Sequence, residues 1–373
     1  MGGPVVVCHH GPMQKNPSLP LWALAAPIAA MLVLAGASLG VGSWYAAVSA
    51  LALFGAVTAA VHHAEVVAHR VGEPFGTLLL AIAITVIEVA LIVSLMLSGG
   101  PAATALARDT VFAAVMLILN VMVGVCLLVG GTRFHEQKFG LHGVHATLAT
   151  LSAISVLTMV LPNYTTTTPG PYYSPSQLAF IAVVSVVLYG TFVLVQTVRH
   201  RDYFLPADSG DPAGEAHAEP PSGRVALISL ALLLVSLVAV VMLAKGLAPI
   251  IEKGVMAMGA PPALVGIIVA IVVLLPEGVA AFRAARSNRL QTSLNLALGS
   301  ALASIGLTIP AVAIVSLVTG WTLTLGLDVK STVLLMLSLL VATQSLGTGR
   351  TTVLQGAVHL VIGAVYLFTT IVP

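Results

Sequence analysis

Apolar runs of about 20 residues recur from Leu21 to the end of the chain, a length set by bilayer thickness. Eleven can be drawn, at 21–42, 44–62, 76–98, 109–131, 143–162, 177–198, 224–245, 263–285, 290–318, 329–347 and 351–371. Hydrophobic residues make up 58% of the 373 and charged residues 8%, a balance that excludes a soluble globular domain. The expected fold class is therefore an all-α membrane protein of about 11 transmembrane helices, with the lipid bilayer as its first partner. The first run is too long for the apolar core of a cleavable signal peptide and reads as an uncleaved span. Cys8 and Cys126 supply neither a disulfide framework nor a CxxC site.

Two carboxylates sit deep in these runs. Glu277 lies in Leu274-Leu275-Pro276-Glu277-Gly278, and Glu88 lies near the middle of Gly76 to Leu97. A carboxylate at the centre of a span costs roughly 2.5–3.5 kcal/mol on the insertion scale, so each needs a partner and a role. Pro276 removes a backbone donor and Gly278 loosens the chain, so a helix break is expected at Glu277. Such a break would free carbonyls to join the acid around a cation. Aligning the acids sets Ile82-Ala83-Ile84-Thr85-Val86-Ile87-Glu88 over Ile271-Val272-Val273-Leu274-Leu275-Pro276-Glu277.

Charge orients the bundle. With the N-terminus inside, eleven Lys and Arg residues fall on inner segments and four (Arg108, Lys245, Lys253, Lys330) on outer ones. The expected location is a bacterial inner (plasma) membrane, multi-pass, with a cytoplasmic N-terminus. Residues 199–223 carry Asp202, Asp208, Asp211, Glu215 and Glu219 among prolines and glycines, and read as an acidic cytoplasmic linker. Four segments follow: an N-terminal tail and first helix at 1–43, a first repeat at 44–198, the linker at 199–223 and a second repeat at 224–373. Five spans per repeat is an odd number, so the two would be inverted. Each acid lies on the second span of its repeat, which brings the two together from opposite directions.

Other polar residues in the spans are weaker signals. Gln291, Asn295 and Gly299 share one helical face, with Ser293, Ser300 and Ser304 on an adjacent stripe. The serines read either as close helix packing or as ligands. The amide oxygen of Asn295 suits a hard cation. Thr85 lies on the same face as Glu88, Asn120 is deep in the fourth span, and Asp109 at its mouth reads as a helix cap. In His62-His63-Ala64-Glu65-Val66-Val67-Ala68-His69 the spacing is not that of a zinc protease. His63, Glu65 and His69 read as interfacial residues or as a proton or cation sensor. His359 reads as a satisfied core histidine. No nucleotide-binding loop, nucleophile–base pair or basic patch is present, so neither an enzyme nor a nucleic-acid partner is expected. Protein partners are not legible.

Several of these segments together resemble the ChaA-type calcium/sodium:proton antiporters, in the cation/proton exchanger branch of the calcium–cation antiporter superfamily. They are His63-Ala64-Glu65 through Glu73-Pro74, Val86-Ile87-Glu88-Val89, Arg108-Asp109-Thr110, Pro276-Glu277-Gly278, Asn295-Leu296 through Gly299-Ser300, Gly347 through Thr351, and Ala357-Val358-His359-Leu360. The resemblance covers nearly the whole chain. It implies two inverted five-helix repeats after an extra first helix, with the ion-binding acids at Glu88 and Glu277. The linker lacks the dense aspartate run of some relatives.

Charge counting turns two acids into an exchanger. Two bare carboxylates in low dielectric repel; one Ca²⁺ neutralises both, and so do two protons. The expected function is exchange of Ca²⁺ (and of Na⁺ or K⁺) for H⁺ by alternating access. Glu88 and Glu277 would be the shared ligands, with Asn295, Ser300, Thr85 and Asn120 as helpers. The alternatives are a Na⁺/H⁺ or K⁺/H⁺ antiporter without Ca²⁺ transport, and a cation channel. No cofactor is expected; the metal ions would be cargo and H⁺ the coupling ion.

Overall fold

The structure is a computed structural model that describes residues 19–36, 44–72, 75–205, 221–261 and 263–372. Its described residues form eleven long helices: α1 (Leu21–Gly36), α2 (Trp44–Val71), α3 (Phe75–Gly99), α4 (Leu106–Phe134), α5 (Leu141–Tyr164), α6 (Pro175–Arg199), α7 (Gly223–Ala257), α8 (Ala263–Arg286), α9 (Leu290–Thr319), α10 (Val329–Ser345) and α11 (Val353–Ile371). Among the described residues, eight helices are long and apolar enough to cross a bilayer on length and composition. α1, α10 and the Ile82–Leu97 part of α3 are shorter apolar helices. The only paired strands among these residues are two short ones, Gln137–Lys138 and Arg350–Thr351, which join the α4–α5 and α10–α11 turns.

The helices follow the apolar runs, with two notable extensions. α2 continues to Val71 rather than stopping near residue 62, because His62 to Val71 contains no glycine or proline. α7 runs 35 residues to Ala257 instead of ending at Lys245. Pro249 lies inside it, and the good helix formers around it carry the helix on. The turn between the first two expected spans (21–42 and 44–62) lies outside the described residues, as does most of the acidic linker (206–220).

Buried apolar side chains divide into two clusters. The larger draws on α4, α5, α6, α8, α9, α10 and α11, with Ile92 and Met96 from α3. The smaller joins Ala30 of α1, Leu53 to Ala60 of α2 and Ala239 to Val255 of α7. α3 and α8 belong to both: Ile87, Leu91 and Leu95, and Val265 and Val269, face the smaller cluster, while Ile267, Ala270 and Leu274 face the larger. The helices that carry Glu88 and Glu277 therefore form the seam. α9 stands behind it and packs against α3, α4, α5, α6 and α8.

Inside a bilayer the apolar effect does not drive helices together, so contact depends on close fit. α4 and α11 show this. Gly124 and Gly131 on α4 meet Leu360 and Val353, while Gly356 on α11 meets Leu128. A Cβ at Gly356 would lie 2.5 Å from the Leu128 backbone nitrogen, which no side-chain rotation can relieve. Gly356→Ala is expected to destabilise the folded bundle by about 1–3 kcal/mol. A drop in the thermal midpoint of the purified protein, against an unchanged Gly190→Ala control (open space at Gly190), would measure it.

Candidate functional site

The two acids are held by one helix. Ser304 Oγ on α9 donates to Glu88 Oε2 at 2.6 Å, and Ser300 Oγ, one turn earlier, donates to Glu277 Oε2. Residues four apart share a helical face, so a single stripe of α9 reaches α3 on one side and α8 on the other. Glu88 is 3% exposed and Glu277 is half-buried. Thr85 is buried one turn before Glu88 on α3.

The atoms gathered here are oxygens. Four carboxylate oxygens and two serine hydroxyls make a hard, anionic donor set suited to Na⁺, K⁺, Ca²⁺ or protons. Among the described residues there is no group of three His, Cys, Asp or Glu side chains placed to hold a metal as resident cofactor. An apolar cavity of about 270 Å³ between α4 and α8 passes beside Gly278, but its lining, with Met122, Cys126 and Leu275, offers no side-chain oxygen.

Several expectations need correction. α8 is continuous from Ala263 to Arg286, so neither Pro276 nor Gly278 breaks it. A proline's fixed φ suits a helix, and it removes one donor rather than the whole turn. What it does leave is the Val272 carbonyl without its usual partner. Asn295 is not beside the acids. Its Nδ2 donates to the Phe204 carbonyl at 2.6 Å and its Oδ1 accepts from Gln291 Nε2 at 2.9 Å. Gln291 in turn accepts from the Gly140 backbone N–H at 2.5 Å. This amide network ties α9 to the start of α5 and the end of the α6 segment. Asn120 sits in a π-helical turn of α4 (Leu117–Met122) and donates to Met116 O and to Ser338 Oγ at 2.9 Å, not to either acid.

The histidine cluster is also divided. His63 is fully buried and turned toward α1, whereas Glu65 and His69 lie together on the exposed face of α2. His359 is buried, with Nε2 2.7 Å from Ser345 Oγ. Asp109 is not the cap, since Ala105 holds the N-cap position; it pairs with Arg108 at 2.7 Å, and Arg108 donates to the Gly326 carbonyl.

A family model described as sodium/calcium exchanger protein matches residues 41–198 and 228–372. The chain belongs to this family. It is an integral membrane protein of the cation-exchange class. A Sinorhizobium fredii protein described as a putative ionic transporter, y4hA, is 50% identical over 87% of this chain and 88% of its own length. The sodium-potassium/proton antiporter ChaA of Escherichia coli is 36% identical over 87% and 88%. In three dimensions this exchanger resembles native YfkE, with a TM-score of 0.73 at 18% identity over 94% of this chain and 100% of that one. The H⁺/Ca²⁺ exchanger CAX gives 0.66 at 15% identity over 94% and 92%. At such identities the likeness concerns the fold alone, that of an all-α membrane exchanger.

Ser304 had only a weak signal in the sequence, as the fourth residue after Ser300. Ser304→Ala is expected to weaken cation affinity by about 5–30-fold through loss of the Glu88 hydrogen bond. Asn295→Ala should leave affinity within about twofold while lowering thermal stability, since its bonds are structural. Cation titration of exchange with the two variants side by side measures both.

Proposed function

We propose that this exchanger moves Ca²⁺ against H⁺, with Glu88 and Glu277 as the alternating ligands of cation and protons. The supporting observation is the pair of acids from two different halves, held by two serines of one helix in a seam between two packed clusters. Their joint charge is matched by one Ca²⁺ or by two protons. Unloaded, the pair presents two negative charges to low dielectric, which opposes reorientation. Loaded either way, it is neutral. Six oxygens from Glu88, Glu277, Ser300 and Ser304 reach the lower end of the ligand number Ca²⁺ takes, about 6–8, and Thr85 adds another.

A second reading, exchange of Na⁺ or K⁺ for H⁺, is favoured by the name of the Escherichia coli relative. One monovalent ion leaves one carboxylate uncompensated, so that reading needs a proton retained on the second acid. Ser300 or Ser304 would then accept from the protonated acid, a reversal open to a hydroxyl.

The proposed frame is a first helix followed by repeats at 44–198 and 224–373, joined by residues 199–223. The N-terminus lies in the cytoplasm of a bacterial cell, by the excess of Lys and Arg on inner segments. α2 and α7, with α1, form the body that moves against the rest along the α3–α8 seam.

Everted vesicles energised to an acidic lumen, with a pH-sensitive dye, test this. Addition of Ca²⁺ is expected to release lumenal protons, and Glu88→Gln or Glu277→Gln is expected to abolish the release while inserting normally. Release only with Na⁺ or K⁺ selects the second reading. No release with any of the three overturns both. Protons and cation compete for the same oxygens, so the apparent KM for the cation should rise as pH falls. The slope is about tenfold per pH unit for each proton displaced, so about a hundredfold marks two. A KM independent of pH would count against shared ligands.

A further inference from the structure

α1 lies outside the two repeats, and neither acid touches it. Its packing against α2 shows what it does. Pro27 lies inside α1 and has no N–H, so the carbonyl four residues earlier, that of Ala23, lacks its helical donor. His63 of α2 supplies one: its Nε2 lies 2.9 Å from the Ala23 oxygen. A carbonyl can only accept, so Nε2 carries the hydrogen. The ring is fully buried. Around it, Trp22 of α1 and His62 of α2 have ring centroids 5.1 Å apart.

The same two helices are joined elsewhere. Tyr45 Oη donates to the Val33 carbonyl near the other end of the hairpin. Between these points Ala26 of α1 packs over Gly55 of α2, where a Cβ would lie in ordinary contact with its methyl at 3.7 Å. α1 also packs against α7, and Ala30 belongs to the cluster that unites α2 and α7. Thus α1 is bonded along its length to one body and has no share in the larger cluster.

We infer that His63 is a positioning residue that fastens α1 to α2 through the Ala23 carbonyl, so that α1 travels with α2 and α7 and sets the rate of reorientation without touching the cation. This rests on the exchange reading for its rate, though not for its geometry. Pro27 and His63 form a matched pair: the proline opens an acceptor that the histidine then occupies. Satisfaction of the carbonyl and fastening of the helix are separable. Pro27→Ala restores an N–H within α1, which serves the carbonyl but leaves the Ala23 end of α1 untied if His63 is absent.

Four proteins in reconstituted vesicles decide the matter: wild type, His63→Ala, His63→Gln, and His63→Ala with Pro27→Ala. His63→Ala is expected to lower the maximal exchange rate about tenfold, as a buried bond of ordinary strength would, with the cation KM within about twofold. His63→Gln, which keeps an N–H donor, should recover most of the rate. The double variant should regain thermal stability yet remain slow. If the double variant regains its rate along with its stability, or if His63→Ala exchanges at the wild-type rate, the fastening role is overturned. Spin labels at the ends of α1 and α2 give a readout independent of any transported ion. A single narrow distance in the wild type that broadens in His63→Ala and in the double variant supports the inference; an unchanged distribution overturns it. Absence of exchange in the wild type, with that broadening present, overturns the exchange reading alone.

Discussion

A carboxylate within a bilayer must be neutralised, bonded or wetted, and this molecule places two of them on neighbouring helices. Most of its arrangement follows from that constraint. Ser300 and Ser304 on α9 hold the acids without cancelling their charge. A lysine or arginine in the same place would have satisfied each acid permanently and removed any need for a mobile ion. Hydroxyls orient an acid, donate to it when it is charged and accept from it when it is protonated. In the proposed exchange the same two side chains would serve both loaded states, and α9 could remain fixed while the load changes.

The two apolar clusters explain how a charge-dependent site can be coupled to movement. α3 and α8 each present one face to α1, α2 and α7 and another to the larger bundle. In the proposed exchange, a displacement along that seam would change access to Glu88 and Glu277 while most of the larger cluster keeps its contacts. On the larger side, glycines let backbones meet at van der Waals distance, as Gly356 does at Leu128. Contacts of that kind have little slack.

Much of this was legible in the sequence because a charge inside an apolar run stands out against every alternative. The span order, Glu88 and Glu277 needed no knowledge of partners. The failures concern residues whose meaning depends on what they face. Asn295 has the chemistry of a cation ligand, but its amide is occupied by Phe204 and Gln291, contacts separated from it by up to 91 positions in the chain. Ser304 has the chemistry of a packing residue, yet it meets Glu88 across 216 positions. Pro276 reads as a break when taken alone; within a helix flanked by α4 and α9 it is absorbed. His63 belongs with Glu65 and His69 in sequence, but a helix turns about 100° per residue and points them to different surroundings.

The amide network at the end of α9 bears on how the two halves stay in register. Phe204, a buried residue near the start of the 199–223 connector, has its carbonyl gripped by Asn295 and its ring set edge-on to Phe192 at 5.8 Å. On the far side Ser222 caps α7 through the Val225 N–H. The Ser222 cap is internal to the start of α7, whereas the Asn295–Phe204 bond joins the stretch before residues 206–220 to a helix after them. A chain cleaved within residues 206–220 would keep that bond as one of the contacts between its two fragments.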